Sequence, residues 1–304
     1  MKATAKLPTV ELMTSGHLAC QGCGATQAMR FALKALGPKT ALVIPACCWS
    51  VIDGPFPHSS LKVPILHTAF EAAASTASGL KAGFEMRGDT ETVVLAWAGD
   101  GGTFDIGIQA LSGAAERNED IIYCCYDNEA YMNTGIQRSS STPIGAWTTT
   151  TPGTHWKRRP KKKMIDIMAA HSIPYIATAS VAYPQDLIEK FRKAREFTGT
   201  RFLHVFAPCP TGWKLAPELS VSMARQAVTS KAFPLLEVTD SGKTWKIWKD
   251  FEPTPLKDYL MAQGRFRHLK DEDIRWIEEE TEKYWQYLLS RERLSQMVPG
   301  LEAE

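Results

Sequence analysis

Apolar residues in this chain fall into short unbroken runs that end in small or polar residues, the pattern of parallel strands buried on both faces. Residues 92–98, with Val93, Val94, Leu95 and Trp97, and residues 121–126, with Ile121, Ile122, Tyr123 and Tyr126, are the clearest of these runs. Between them Ile106, Ile108, Leu111 and Ala115 recur close to helical spacing, which predicts a crossover helix over 104–118 and a right-handed βαβ unit. Further strands are expected at 40–46, 173–179 and 202–207, and helices at 26–36 and 185–197. The predicted fold class is α/β, a doubly wound parallel sheet. From Thr239 the pattern changes. Trp245, Trp248 and Phe251 stand in a segment with little periodicity, and 271–293 then spaces Ile274, Ile277, Tyr284 and Leu288 as an amphipathic helix among charges. The expected organisation is a sheet domain over 1–238 and a helical C-terminal extension over 239–304, an arm or cap packing on partner subunits.

Composition narrows the function classes. With 44% hydrophobic and 22% charged residues, the 304-residue chain is neither disordered nor fibrous in type. Its 35 Lys and Arg against 33 Asp and Glu give no overall field for nucleic acid or a membrane surface. The one local exception, Lys157 to Lys163, lacks an aromatic stacking platform and is expected to be a solvated or subunit-facing loop rather than a site for RNA, coenzyme A phosphates or an acidic ferredoxin. No run of about 18 apolar residues is present, and the opening residues Met1 to Lys6 lack the apolar stretch of a signal peptide. A cytoplasmic location is expected. There, seven cysteines point to metal or redox chemistry rather than to a disulfide framework.

Two loops carry the candidate chemistry, and both follow predicted strands, at the carboxyl edge where open α/β sheets bind ligands. The first is Gly99, Asp100, Gly101, Gly102 and Thr103; the second is Asp127, Asn128, Glu129, Ala130 and Tyr131. Glycines let a phosphate approach the backbone, and the following helix offers free NH groups and its positive dipole end, so a diphosphate fits. Asp100 would repel it unless an oxygen-preferring cation such as Mg2+ lay between them, with Asn128 and a backbone carbonyl near Ala130 as further oxygen donors. Cys20 and Cys23 form a C-x-x-C flanked by glycines, while Cys48 and Cys209 each lie just past a predicted strand. Four such thiolates suit either a [4Fe-4S] cluster or a structural zinc. Cys47, Cys124 and Cys125 are expected simply to pack.

The Gly-Asp-Gly and Asn pattern resembles the signature of thiamine-diphosphate enzymes. More narrowly, residues 127–137 look like the corresponding segment of the β subunits of pyruvate:ferredoxin oxidoreductases, and residues 16–24 and 207–213 resemble that family's cluster-binding blocks. The resemblance runs from about Gly16 to Leu236 and implies a thiamine-diphosphate-binding fold of that type. By it, Asp100, Asn128 and the Ala130 carbonyl hold magnesium, and Gly99, Gly101, Gly102 and Thr134 border the cofactor. Asn133 faces the reacting end of thiamine as the catalytic contact. Cys20, Cys23, Cys48 and Cys209 hold a [4Fe-4S] cluster. Where the family has Pro-Thr-Gly-Cys, this chain has Pro45, Ala46, Cys47 and Cys48, so Cys47 stays an alternative third ligand. His67 lies in a block that lines the cofactor pocket; a core histidine is the other reading.

The implied activity is oxidative decarboxylation of pyruvate, with the acyl group passing to coenzyme A and electrons passing through the cluster to ferredoxin. Branched-chain 2-oxoacids or oxalate are the alternative substrates. A non-oxidative thiamine-diphosphate lyase would need no cluster, and a zinc-stabilised nucleic-acid-binding module would leave the Gly-Asp-Gly and Asn pattern unexplained. The chain supplies one diphosphate-binding unit only. The glutamate that activates thiamine in this superfamily is therefore expected from an α or other partner subunit.

Overall fold

The computed structural model of the protein describes residues 7–297. The opening residues Met1 to Lys6 read above, and the last seven residues of the C-terminal extension, lie outside the described residues. Eight strands form one sheet: β1 (Thr40–Pro45), β2 (Ile65–Thr68), β3 (Val93–Gly99), β4 (Ile122–Asp127), β5 (Tyr175–Ser180), β6 (Arg201–Phe206), β7 (Leu236–Thr239) and β8 (Thr244–Ile247). Their order is β2-β1-β3-β4-β6-β5-β7-β8, parallel from β2 through β5 and antiparallel for β7 and β8. The helices are α1 (Gly24–Leu36), the single turn α2 (Trp49–Ile52), α3 (Ala73–Met86), α4 (Ile108–Glu116), α5 (Met164–Ala170), α6 (Pro184–Glu196), the single turn α7 (Pro210–Trp213), α8 (Ser220–Thr229), α9 (Leu256–Met261) and α10 (Asp271–Met297).

The absence of polar alternation in the strands has a direct cause, since both faces of the sheet are covered. Leu95 and Trp97 of β3 enter a layer with α1, α6 and α8, while Val94, Ala96 and Ala98 enter the opposite layer with α3, α4, α5 and α10. Trp97 anchors the first layer against the rings of Trp49, Tyr126 and Phe191, whose centroids lie 5.8–6.5 Å away. Cys124 and Cys125 are fully buried on opposite faces of β4 and pack there as small hydrophobes.

Winding reverses at β1. The chain steps outward to β2, returns past β1 to β3, and then continues to β4. The crevice beyond the carboxyl ends of β1 and β3 is therefore the switch point at which such sheets bind ligands. Pairing of Gly99 with Tyr126 brings Asp100 and Asp127 side by side at that edge.

The structure departs from the sequence reading in three places. The expected crossover helix is split into a π-helical turn, Gly101–Ile106, and α4. α3 goes unannounced because its buried face is Ala73, Ala74, Ala77 and Ser78, residues too small to make an apolar stripe although they let the helix lie close to the sheet. The boundary drawn between residues 238 and 239 falls inside β7: the β7–β8 hairpin prolongs the sheet, and the extension proper begins after Ile247. That extension is tied to its own chain. Glu292 of α10 accepts a hydrogen bond from the Ile247 amide at 2.8 Å and pairs with Lys249 at 2.5 Å, and Trp285 and Leu288 are buried in the second layer. Among the described residues no helix is long and apolar enough to cross a membrane.

Candidate cofactor site at the sheet edge

A cleft of about 200 Å³ opens at the switch point. The loop after β1 gives it Ala46, Cys47 and Cys48, the loop after β3 gives Gly99 to Gly102, and the loop after β4 gives Asn128 and Ala130 to Thr134. Of the residues singled out in the sequence, Gly99, Asp100, Gly101, Gly102, Asn128, Ala130, Asn133, Thr134 and Cys48 thus share one wall-to-wall site. Gly101 is required there by close approach, because a Cβ on it would stand 2.2 Å from the Tyr131 ring. At the base of the π-helical turn the backbone is as tight, with a Cβ on Gly107 falling 2.1 Å from the Gly102 carbonyl oxygen. Tyr131 and Gln137 exchange backbone hydrogen bonds of 2.9 and 3.2 Å, so the segment between them projects as a small hairpin. Asn133 and Thr134 sit on it, exposed at the rim.

The cleft floor concentrates negative charge. Asp100 and Asp127 are both buried, and their surroundings treat them differently. Asp127 accepts from the Glu129 amide at 2.8 Å, the Ser141 hydroxyl at 2.5 Å and His204 Nε2 at 2.8 Å, and Lys161 Nζ lies 3.5 Å away. Although burial alone would raise it, the Lys161 charge and these donors hold its carboxyl well below the usual range. Asp100 accepts from the Ser139 hydroxyl, and burial together with the neighbouring Asp127 charge pushes its carboxyl well above that range. An added cation at Asp100 would relieve this pressure.

The oxygen donors for such a cation are in place. The Asn128 side-chain amide lies 2.9 Å from the Ala130 carbonyl oxygen and 3.1 Å from Asp100 Oδ1, with its nitrogen toward them when the site is empty. Turned over, with oxygen inward, the contacts match adjacent ligands of an octahedron, about 3.0 Å apart for cation–oxygen bonds of about 2.0–2.1 Å. The set fits a magnesium-like ion: one carboxylate, one amide and one backbone carbonyl. Trp213 Nε1 fixes the strand end by donating to the Asn128 carbonyl at 2.8 Å.

The four expected cluster thiols gather beside the cleft. Gly24 donates its amide to the Pro208 carbonyl at 3.0 Å, and a Cβ on Gly24 would lie 2.7 Å from that backbone, so the C-x-x-C loop rests directly on the segment leading to Cys209. Gly22, at φ +71°, is equally constrained, since a Cβ there would meet the Pro217 carbonyl oxygen at 2.4 Å. Burial, with the neighbouring Cys47, Cys209 and Cys23, raises the Cys48 thiol to about 12, and burial, with Cys23 and Cys20 and against the Gly212 amide, raises the Cys209 thiol to about 11. These thiols would ionise together only around a positive centre. Cys47 lines the cleft beside Cys48, and burial raises its thiol as well. Among the described residues no three Cys, His, Asp or Glu side chains close on one ion position.

His67 is neither a core residue nor a cleft residue. It is exposed on the edge strand β2, where its Nε2 meets the buried Asp53 at 2.9 Å. The basic run departs from the expected solvated or subunit-facing loop in half of its charges, which turn into their own chain. Lys157 is buried and donates to the carbonyls of Ser140 and Thr142, Lys161 pairs with Asp127 and Glu129, and Lys162 donates to the Phe104 carbonyl. Arg158, Arg159 and Lys163 stay exposed. Sequence reading also missed Arg265, in the C-terminal extension, which pairs with Glu129, bonds Gln263 at 2.9 Å and stacks 3.9 Å above the Trp213 ring. Nothing in its local sequence marks it. Glu129 itself takes φ +70°, a left-handed conformation that turns its carboxylate between Lys161 and Arg265.

A family model described as "Thiamine pyrophosphate enzyme, C-terminal TPP binding domain" matches residues 52–205, which takes in Asp100 and Asn128 but none of the four thiols. The ketoisovalerate oxidoreductase subunit VorB of Pyrococcus furiosus is 50% identical over 298 residues, covering 93% of this chain and 95% of its own. The pyruvate synthase subunit PorB of Methanothermobacter marburgensis is 49% identical over 288 residues, covering 93% of this chain and 99% of its own. Among solved structures, the 2-oxoglutarate:ferredoxin oxidoreductase from Magnetococcus marinus, with 2-oxoglutarate, coenzyme A and succinyl-CoA bound, superposes with a TM-score of 0.57. That match covers 74% of this chain and 83% of that one at 22% identity, a likeness of fold.

The buried charge network makes a direct prediction. Glu129→Gln leaves the Lys161 and Arg265 charges short of a carboxylate and should cost about 3–5 kcal/mol in urea unfolding. A loss below about 1 kcal/mol would show that the network does not brace this loop.

Proposed function

The chain belongs to the β subunits of the 2-oxoacid:ferredoxin oxidoreductases, and from that premise we propose that it binds thiamine diphosphate, Mg2+ and a [4Fe-4S] cluster and, joined to partner subunits in the cytoplasm, oxidatively decarboxylates pyruvate to acetyl-CoA and CO2. One observation carries the reading: a single cleft is lined by Asp100, Asn128 and Ala130, the oxygen donors, and by Cys48, a thiol of the four-cysteine group. A lyase would have no use for that thiol, and a zinc module none for the oxygens.

When bound, thiamine diphosphate supplies the carbon nucleophile and electron sink for decarboxylation, Mg2+ neutralises the diphosphate, and the cluster takes up single electrons. The chain's residues provide binding and position. Asp100, Asn128 and the Ala130 carbonyl hold the cation, and the amides around Gly101 and Gly102 receive the diphosphate. Cys20, Cys23, Cys48 and Cys209 ligate the cluster, with Cys48 preferred to Cys47 because it is the Cys48 thiol on which Cys209 and Cys23 act. Asn133, exposed on its hairpin, faces the reacting end of thiamine, and Thr134 borders the cofactor. Coenzyme A is the acyl acceptor and ferredoxin the electron acceptor.

The reading also requires a partner. Among the described residues lining the cleft the one carboxylate is Asp100, which is committed to the cation, so no glutamate is left to activate the aminopyrimidine ring. The exposed rim at Asn133 and Thr134 is where an α subunit would close the pocket and complete its specificity. A branched-chain 2-oxoacid is the second reading, supported by the VorB relative, whose identity is level with that of PorB.

Two outcomes test the cofactor assignments. In anaerobic protein Cys48→Ser should abolish or distort the reduced-cluster EPR signal while Cys124→Ser leaves it intact; the reverse for Cys47→Ser and Cys48→Ser would move the third ligand to Cys47. Asp100→Ala should abolish the Mg2+-dependent part of thiamine diphosphate binding in calorimetry while the thermal transition persists, and unchanged affinity would remove Asp100 from the site.

The subunit and substrate assignments are tested together. The assembled complex should turn over pyruvate faster than 3-methyl-2-oxobutanoate, and the isolated chain, reconstituted with all three cofactors, should release CO2 from neither. Turnover by isolated chain that mass spectrometry finds free of partner would defeat the shared-site reading, and preference for the branched acid would reassign the substrate.

A further inference from the structure

Both ends of the hairpin that carries Asn133 and Thr134 are moored to one carboxylate that none of the chemistry above uses. Asp105 belongs to the π-helical turn Gly101–Ile106, whose first two residues are glycines of the cleft floor. Its Oδ2 accepts from the Tyr131 hydroxyl at 2.8 Å, where the hairpin begins, and from the Ser140 amide at 3.0 Å, just after the hairpin ends at Gln137. The Ser140 hydroxyl donates to Oδ1. Three donors from the segment after β4 thus occupy most of the acceptor positions that a carboxylate offers.

Turn and hairpin also meet by shape. The Tyr131 ring covers Gly101, where a Cβ would stand 2.2 Å from it, and meets the Phe70 ring edge-on at 6.0 Å. Phe70 in turn stands 3.2 Å from where a Cβ on Gly102 would lie. Burial and the Asp105 carboxylate raise the Tyr131 phenol above its ordinary value, so its hydroxyl stays a donor.

The hairpin has little to hold its direction by itself. Two backbone bonds close it between Tyr131 and Gln137, and Asn133 to Gly135 are exposed. On its far side Thr149 donates to the carbonyls of Gly135 and Ile136, each at 2.9 Å. On the side of the cofactor loops Asp105 is the tie. A two-stranded hairpin is marginal without packing, so what it is tied to decides where it points. Departures from regular helix such as this π-helical turn recur at functional sites.

We propose that Asp105 is a positioning residue: through Tyr131 and Ser140 it fixes the hairpin to the turn that receives the diphosphate, and so holds Asn133 at the cleft. That role rests on Asn133 facing the reacting end of thiamine; the tie itself does not.

Two variants of the assembled complex test it. Tyr131→Phe deletes the hydroxyl and keeps the ring against Gly101, and Ser140→Ala loosens the other end should Tyr131→Phe fail to fold. With no thiamine diphosphate added, hydrogen exchange over residues 131–137 should quicken about tenfold, while the thermal transition and exchange in the rest of the chain keep their wild-type values. In the loaded complex kcat should fall about tenfold with thiamine diphosphate affinity within about twofold of wild type, and the fall should vanish in an Asn133→Ala background. Wild-type exchange over 131–137 in every folded variant would overturn the tie. An unchanged kcat, or a fall that persists in full in the Asn133→Ala background, would overturn the positioning of Asn133. Failure of the cofactor reading is seen separately, in Asp100→Ala, and leaves the exchange result to stand by itself.

Discussion

Two carboxylates that the sheet sets side by side impose the constraint on which this structure turns. β3 and β4 pair in register, so Asp100 and Asp127 leave the sheet as neighbours in a buried place where like charges repel strongly. The chain settles one of them with its own groups: Lys161, His204, Ser141 and a backbone amide attend Asp127. The other it leaves with a hydroxyl from Ser139 and the neutral Asn128 amide, which also meets the Ala130 carbonyl, and with no positive charge. An arrangement so unfavourable by itself becomes favourable when a cation arrives, which is how a fold can store affinity for a metal and the diphosphate it escorts.

Much of the remaining architecture holds that arrangement still. Glu129, bent into a left-handed conformation, ties the β4 loop to Lys161 of the basic run and to Arg265 of the C-terminal extension, and Trp213 clasps the Asn128 carbonyl. Three segments distant in sequence thus converge on a loop of five residues. Buried ion pairs of this kind add little net stability against an apolar core, but they fix one geometry because each member is costly to leave alone. The thiol group beside the cleft is held by different means, close backbone contacts that only Gly22 and Gly24 allow.

The sequence made the framework and the loops that line the cleft legible because they are local signals. Unbroken apolar runs marked β1, β3, β4 and β6, and small residues directly after them marked the loops at the sheet edge. It did not reveal α3, whose contacts are made by alanines, nor the hairpin of β7 and β8, whose four-residue strands are too short to display a period. The basic run looked like a surface feature because charge in sequence gives no direction in space; the buried partners of Lys157, Lys161 and Lys162 come from elsewhere in the chain. Arg265 was silent for the same reason. His67 shows the opposite limit, a residue placed by resemblance in the pocket lining that this fold sets outside the cleft, against Asp53.

If the oxygen donors and the thiols are two corners of one site, the groups they bind must be close enough to influence each other magnetically. The most direct measurement replaces Mg2+ by Mn2+ in the anaerobic complex carrying thiamine diphosphate, reduces the cluster, and compares the EPR relaxation of the cluster with that of the Mg2+ form. The account predicts faster relaxation with Mn2+, lost in Asp100→Ala. Unchanged relaxation in protein shown by metal analysis to contain both manganese and the cluster would contradict it.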